Sequence, residues 1–167
     1  MGLARGAAAC GLSLAGCLNV DTPSTNVVVD NQYPPSAARP LVVYEAHFQA
    51  ITLDASTPIA PGGSSGPIPT IPASDNTAYV VLAPGWEPDA GAPASFLVLQ
   101  SRSGFGVHLG DTLHIPVDDA TFAGNCVAGW PLTQSQADFI TKIVFPDTFA
   151  GVHYDALTCT ATPVGSE

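Results

Sequence analysis

Two histidines on either side of a Gly-Asp pair are the residues of this chain best spaced for chemistry. His108 and His114 flank Gly110-Asp111, a pair typical of the loop of a β-hairpin. A two-residue loop points their side chains to opposite faces, whereas a three-residue loop opposes them and would let them share a metal ion with Asp118. The alternative is that His108 and His114 are ordinary strand residues. The other two histidines of the chain have no spacing that implies a metal site. We therefore expect no metal site and no cofactor.

Adjacent carboxylates at Asp118 and Asp119 allow two chemical interpretations, a general acid/base pair or a calcium site. Neighbouring residues of a strand project to opposite faces, which separates the carboxylates of such a pair. In a turn they could bind calcium through oxygen atoms, with Asn125 or Asp147 contributing. No EF-hand spacing is present. We expect solvated turn residues.

The run Gly62-Gly63-Ser64-Ser65-Gly66 matches the nucleophile-elbow pattern G-x-S-x-G. That motif needs a strand before its serine and a helix after it, so that the hydroxyl is held exposed. Prolines at positions 58, 61, 67 and 69 exclude both elements. We expect a flexible loop here, no catalytic residue in the chain, and a protein that is not an enzyme.

Three aromatic residues are candidates for ligand contact: Trp86, Trp130 and Tyr79. Trp86 lies in Pro-Gly-Trp-Glu-Pro, a loop sequence from which a side chain does not easily reach a core. Aromatic rings grouped on a surface would bind a sugar or a protein partner. The alternative is that these rings pack over the edge of a sheet.

Cys126 and Cys159 are the two cysteines outside the N-terminal segment. Neither has a second cysteine or a histidine within four residues, so a metal site lacks ligands. Two such cysteines in an oxidising compartment form a disulfide by default. We predict a Cys126–Cys159 disulfide, which would stabilise the fold by about 3–4 kcal/mol in the chain-entropy model.

The N-terminal segment has the layout of a secretory signal peptide, because Arg5 precedes an apolar run over residues 7–15 that ends on small residues. The ending, Leu14-Ala15-Gly16-Cys17, resembles the lipobox of bacterial lipoproteins. This resemblance covers the first 17 residues alone. It implies that Cys17 is acylated, that the peptide before it is removed, and that the lipid holds the chain on a membrane. An ordinary secretory signal cleaved near Ala9 or Gly16 is the alternative.

Composition narrows the class of protein further. The chain has 167 residues, 46% of them hydrophobic and 11% charged, which is too apolar for a disordered protein. Four Lys and Arg against 14 Asp and Glu give a net charge of -10. Nucleic acid is thereby disfavoured as a partner, since its binding needs a cationic surface. Electrostatic docking on anionic lipid is disfavoured for the same reason.

Turn residues and apolar runs divide the chain into four parts. We predict a signal peptide over 1–16, a lipidated N-terminus and polar spacer over 17–40, a single β-sandwich domain over 41–162 and a tail over 163–167. Val27-Val28-Val29 interrupts the spacer and would add an edge strand. The Pro- and Gly-rich stretch over 55–76 is expected to be extended, without regular strand pairing, and either mobile or a recognition surface.

Within the domain, apolar runs predict strands over 41–53, 78–83, 95–101, 143–145 and 152–160, and a hairpin over 107–115. In the first strand, alternation places Val42, Tyr44, Ala46 and Phe48 on one face. A capping box at Thr133 predicts a short helix over 134–142. The fold class is therefore mainly β, an antiparallel β-sandwich with at most one short helix. An immunoglobulin-like arrangement and a squat barrel are its variants.

Three functions follow from these features. The first is a non-catalytic lipoprotein of the cell envelope, held by the lipid on Cys17, that binds a protein partner or forms part of an envelope assembly. It would be extracytoplasmic, in the periplasm or on the cell surface, or secreted if the signal is an ordinary one. The second is a carbohydrate- or ligand-binding module with exposed aromatic loops. The third is a metal-dependent enzyme built on the His and Asp residues.

Overall fold

A computed structural model describes residues 23–48, 51–53, 58–127 and 131–165 of the chain. Within them lie twelve β-strands, one short α-helix and two further helical turns. The strands are β1 (Thr25–Asn31), β2 (Leu41–Phe48), β3 (Ile51–Leu53), β4 (Ile68–Thr70), β5 (Ala73–Asn76), β6 (Ala78–Pro84), β7 (Leu97–Ser101), β8 (Phe105–Val107), β9 (Thr112–Val117), β10 (Phe122–Ala123), β11 (Val152–Asp155) and β12 (Thr160–Pro163). The helical elements are a 3₁₀ turn (Pro88–Ala90), helix α1 (Gln134–Phe139) and a π-helical turn (Ile140–Val144).

Two sheets form the sandwich. The larger has five antiparallel strands in the order β10-β7-β6-β2-β3, and the smaller has three in the order β4-β1-β9. Strand β1 pairs antiparallel with β4 and parallel with β9. Two hairpin-sized sheets, β5-β8 and β11-β12, complete the strand pairing. These strands do not close into a barrel, and the predicted β-sandwich with one short helix is confirmed.

The core between the two sheets follows from the alternation of side chains along each strand. Val80 and Leu82 of β6 share one buried cluster with Val27 of β1 and with Ile115 and Val117 of β9. Each of these side chains is nearly or fully inaccessible to solvent. Burial of one branched or aromatic side chain contributes about 1.5–3 kcal/mol, so this cluster is the main stabilising contact between the sheets.

The other face of the five-stranded sheet is also covered, which the sequence pattern did not specify. Val81 and Val98 on this outer face pack against Ile140 and Phe145 after α1 and against Tyr154 of β11. A strand that is buried on both faces needs a continuous apolar run instead of an alternating one. This requirement explains why residues 78–83 read as one uninterrupted apolar run.

Helix α1 begins where the capping box predicts. The Thr133 backbone N–H donates to Gln136 Oε1 (2.9 Å), and the Gln136 N–H donates to Thr133 Oγ1 (3.3 Å). The predicted strand over 143–145 is wrong, because the chain continues from α1 into the π-helical turn. In this wider turn the Phe145 N–H donates to the Ile140 carbonyl (2.9 Å). The side chains of Ile140 and Phe145 are both buried.

The hairpin predicted over 107–115 is also wrong. Strand β8 pairs with β5, while β9 pairs in parallel with β1, so the two strands belong to different sheets. A turn at Gly110, whose φ is +85°, carries the chain from one sheet to the other. Burial of Ile115 and Val117 in the sandwich core outweighs a local hairpin, which would leave those side chains without this contact.

Strand β1 lies in the segment that the sequence assigned to the spacer. It is the central strand of its sheet, with neighbours on both sides, so the prediction of an edge strand is wrong. Thr25, Val27 and Val29 are buried. Strand β1 therefore belongs to the core of the sandwich, and the polar residues around it conceal it in the sequence.

The described part of the Pro-rich stretch, residues 58–76, is paired to the sandwich, contrary to the prediction. Ile59 exchanges two backbone hydrogen bonds with Val43 (2.9 and 3.0 Å), and β4 pairs with β1 over three residues. Pro69 is accommodated because β4 is an edge strand, where one missing N–H is tolerated.

A bulge in β2 overturns the predicted single face of that strand. The register with β6 shifts between Val43 and Glu45, so that Tyr44 is the extra residue. As a result Ala46 and Phe48 face the sandwich core, whereas Tyr44 packs on the outer face. Inserting one residue reverses the alternation for everything that follows it.

Candidate functional site

The structure places the two candidate histidines on separate neighbours. His108 is 93% exposed, and its Nδ1 lies 3.4 Å from Asp111 Oδ2. His114 Nδ1 lies 2.8 Å from Asp30 Oδ2. Strands β8 and β9 lie in different sheets, so neither hairpin geometry considered from the sequence occurs. Among the residues that the structure describes, no three His, Cys, Asp or Glu side chains are grouped as metal ligands.

Ser64 of the G-x-S-x-G run does meet an aspartate and a histidine. Its Oγ donates to Asp30 Oδ1 (2.5 Å), and the second oxygen of Asp30 bonds His114. The carboxylate therefore lies between serine and imidazole. An activated serine needs the opposite order, with the imidazole on the hydroxyl as general base. This cluster joins three segments of the chain and does not activate Ser64.

The neighbouring Ser65 has the same structural role. Its Oγ accepts the Val29 N–H (2.9 Å), and its own N–H donates to the Val29 carbonyl (2.9 Å). Together with the Ser64–Asp30 bond, these contacts fix residues 62–66 along β1. The prediction of a flexible loop is therefore wrong, because this segment is hydrogen-bonded to the sandwich. Asp30 could not be identified from the sequence, since its partners Ser64 and His114 are 34 and 84 residues away.

Asp118 and Asp119 have separate structural roles. Asp118 Oδ1 accepts the N–H groups of Ala120 (3.0 Å) and Thr121 (2.7 Å), which closes a turn. Asp119 Oδ1 accepts the hydroxyl of Tyr33 (2.9 Å). Burial, and then the hydrogen bond to Asp119, holds the pKa of Tyr33 far above its ordinary value. The phenol thus stays a neutral donor.

Asn125, one of the two residues suggested as a further calcium ligand, organises the C-terminal region. Its Nδ2 donates to the carbonyls of Leu132 (3.0 Å) and Ala156, and its Oδ1 accepts the Leu132 N–H. All of its amide contacts are to backbone groups. The residue therefore ties the chain after β10 to the turn after β11, and is committed to structure.

Tyr79 and Trp86 are too far apart to form one aromatic platform. Tyr79 is the second residue of β6, and Trp86 follows the end of that strand, which lies about 17 Å from Tyr79. The Trp86 ring packs edge-on against Tyr44, with centroids 5.1 Å apart, and its Nε1 donates to Gly91 O (2.7 Å). Trp86 thus fixes its own loop on the outer face. Trp130 lies outside the described residues.

The predicted disulfide is confirmed. Cys126 and Cys159 are bonded with a Cα–Cα distance of 6.3 Å, and they join the loop after β10 to the turn between β11 and β12. This bond does not link the two sheets of the sandwich, as it would in an immunoglobulin domain. It is consistent with an oxidising, extracytoplasmic compartment.

None of the helices in the parts of the chain described here is long and apolar enough to cross a membrane. Cys17, the candidate lipidation site, lies outside the described residues.

An open groove of about 580 Å³ lies beside the disulfide. It is at the end of the sandwich where β2 begins, and β1 ends there too, since Asn31 Nδ2 donates to Leu41 O (2.8 Å). We call it the distal groove, because β1, the most N-terminal of the described strands, begins at the opposite end of the sandwich. Its lining combines apolar side chains with hydroxyl groups and one guanidinium: Arg39, Leu41, Pro84, Ser95, Leu97, Cys126, Val127, Thr158, Cys159 and Thr160.

Arg39 is the residue of this groove that sequence reasoning missed. It is one of four basic residues in the whole chain. Lys142 is paired with Asp138 (2.8 Å), a contact that also lowers the pKa of that carboxyl, and Arg102 donates to backbone carbonyls. Arg39 instead reaches Ser95 Oγ (3.4 Å) within the groove. Its rarity in an acidic chain is the signal that could have singled it out.

No protein-family model matches this sequence, and neither the curated proteins nor the solved structures compared with it show significant similarity.

Proposed function

We propose that this protein is a non-catalytic lipoprotein of the cell envelope, in which lipid on Cys17 holds the β-sandwich on a membrane and the domain binds a partner or belongs to an assembly. The observation that carries the proposal is the Leu14-Ala15-Gly16-Cys17 sequence, whose cysteine stands eight positions before Thr25, where the first described strand begins. Removal of the peptide before Cys17 would leave every described strand in place. The Cys126–Cys159 disulfide suits an exported domain.

The arrangement of the polar groups supports a binding role over a catalytic one. The three-residue cluster at Asp30 has its carboxylate in the middle, and Asp118, Asp119 and Asn125 hold turns and backbone groups. A catalytic site would need an acid, base or nucleophile aimed into a cavity. The distal groove offers hydroxyl groups and a guanidinium, which bind and orient but do not transfer protons at neutral pH.

Cell fractionation tests the proposal in a bacterial host that lipidates its exported proteins. The wild-type chain is expected in the membrane fraction, released by detergent and not by salt. The Cys17→Ser variant should move to the soluble extracytoplasmic fraction. Cys10→Ser, which changes the other cysteine of the signal segment, is the matched control and should behave as wild type. Membrane association that survives Cys17→Ser would reject the lipid anchor.

A second candidate, a carbohydrate- or ligand-binding module, is supported by the distal groove itself. Arg39 and the hydroxyls of Ser95, Thr158 and Thr160 suit a ligand that carries both hydroxyl and carboxylate groups. An oligosaccharide of galacturonic acid is a suitable probe, and its binding should shift the NMR resonances of the groove residues. Arg39→Gln should abolish those shifts. Equal shifts in wild type and Arg39→Gln would reject the groove as a site for acidic sugars.

A further inference from the structure

The chain enters the described fold between two loops that expose large aliphatic side chains. Ile71 directly follows the residue of β4 that pairs with the first residue of β1. Leu109 precedes Gly110, where an added Cβ would lie 3.1 Å from the Cβ of Pro23. Ile71 and Leu109 are each 66% exposed. We call this end of the sandwich, defined by Pro23, Ile71 and Leu109, the proximal end.

Hydrogen bonds fix the Leu109 loop to the start of β1. The Gly110 N–H donates to Thr25 Oγ1 (3.0 Å), and that hydroxyl donates to the His108 carbonyl (3.4 Å). The Asn26 N–H donates to the Asp111 carbonyl (2.9 Å). The exposed leucine is therefore held at a set position relative to the point where the preceding chain departs.

The length of that preceding chain limits how far the proximal end can stand from a membrane. Five residues lie between Cys17 and Pro23, and the six residue-to-residue steps span about 20 Å when the chain is fully extended. If acyl chains on Cys17 are in the bilayer, Ile71 and Leu109 are exposed aliphatic side chains, among the described residues, that lie beside the start of β1. An apolar side chain that reaches the boundary between headgroups and acyl chains leaves water and is stabilised there.

The charge of the protein indicates which kind of bilayer contact this is. Four basic residues against 14 acidic ones exclude attraction to anionic headgroups as the driving force. Asp111 and His108 beside Leu109 are both exposed and carry no excess of positive charge. The contact must be apolar, and a zwitterionic phosphatidylcholine surface suffices for it.

We propose that Ile71 and Leu109 rest on the bilayer that holds the Cys17 lipid, so that the sandwich is seated on its proximal end and presents the distal groove away from the membrane. This inference rests on the proposed lipidation of Cys17. It adds an orientation of the domain, which a lipid on a tether does not by itself impose.

Fluorescence quenching by labelled lipid tests the orientation in the full-length, lipidated protein. Acylation occupies Cys17 and the disulfide occupies Cys126 and Cys159, so a cysteine introduced at an exposed site is the free thiol of the mature chain. The variants are Ile71→Cys, Leu109→Cys and, as control, Leu157→Cys. Leu157 is 85% exposed and adjoins Thr158, which lines the distal groove.

Each variant is labelled with a bimane and reconstituted in phosphatidylcholine vesicles with or without a nitroxide on the shallow part of the acyl chain. Labels at 71 and 109 should be quenched several-fold more strongly than the label at 157. Equal, weak quenching at all three positions would overturn the seated orientation. The intact mass of the same samples separates the two proposals: acyl groups without quenching reject the orientation alone, and an unacylated Cys17 rejects both.

Discussion

A disulfide ties the loops at the distal end of the sandwich, whereas strand pairing and the hydroxyl of Thr25 hold the proximal end. At the distal end, Cys126, Asn125 and Cys159 tie irregular loops together. At the proximal end, β1 pairs with both of its neighbours from its first residues onward. The Asn125 amide and the two cysteines are thus committed to stability, while Ile71 and Leu109 at the proximal end are largely exposed to solvent.

Removing the disulfide should have the largest effect on stability. The double variant Cys126→Ser/Cys159→Ser is expected to lower the free energy of unfolding by about 3–4 kcal/mol, because the sequence separation of 33 residues sets the loop entropy regained by the unfolded chain. Urea denaturation measures the loss. Wild-type protein under a reducing agent is the control and should match the variant. A loss below about 1 kcal/mol would contradict a distal end held by this bond.

Asn125→Ala should cost about 2–3 kcal/mol, since it leaves the backbone groups of Leu132 and Ala156 without their amide partner. Asn26→Ala at the proximal end is the matched control. The side-chain amide of Asn26 donates to Ser24, which is exposed. The free energy of unfolding of this variant should therefore stay within about 0.5 kcal/mol of the wild-type value. Comparable losses in the two variants, measured by urea denaturation, would erase the contrast between the two ends.

Alkaline pH should weaken the outer layer through Tyr154, which packs edge-on against Phe149. Burial raises the pKa of Tyr154 to about 12 from the ordinary value near 10. The unfolded chain therefore ionises first, and stability that is complete below pH 10 should fall by about 2 kcal/mol as the pH rises to about 12.

The ultraviolet absorbance of tyrosinate follows this titration. In Tyr154→Phe the corresponding absorbance step should be missing. A Tyr154 that titrates near pH 10 in folded protein would mean that the layer over β6 is open to water.

The smallest effect is expected at the proximal end. Ile71→Ser and Leu109→Ser should change the free energy of unfolding by no more than about 0.5 kcal/mol, because both side chains are largely exposed. Leu157→Ser is the control for an exposed leucine elsewhere. A loss of about 2 kcal/mol or more in either proximal variant would show that the side chain is needed by the fold and is not available for a membrane.

Features that depend on a few neighbouring residues could be predicted from the sequence. The capping box fixes the start of α1 because Thr133 and Gln136 are within one turn of each other. The disulfide followed from there being two cysteines left to pair. Non-local pairing could not be predicted. Strand β9 joins β1 across more than 80 residues, and a local Gly-Asp signal favoured a hairpin that tertiary burial overrides.

The candidate site was less predictable than the fold. The inserted Tyr44 in β2 reverses the strand alternation, and no spacing in the sequence reveals the bulge. Asp30 and Arg39 gain their roles from partners 34 to 84 residues away and from a groove formed by several segments. His108 and the G-x-S-x-G run were singled out because they match local patterns. In the structure His108 has no group of metal ligands around it, and Ser64 has no imidazole on its hydroxyl among the described residues.

The intact mass of membrane-extracted protein, compared between wild type and Cys17→Ser, is the most direct test of the lipid tether. The wild-type mass should equal that of a chain that starts at Cys17 plus its acyl groups, and this species should be lost in the variant. An unacylated chain released to the medium, with the same mass and location in the variant apart from the substitution itself, would contradict the tether and with it the seated orientation.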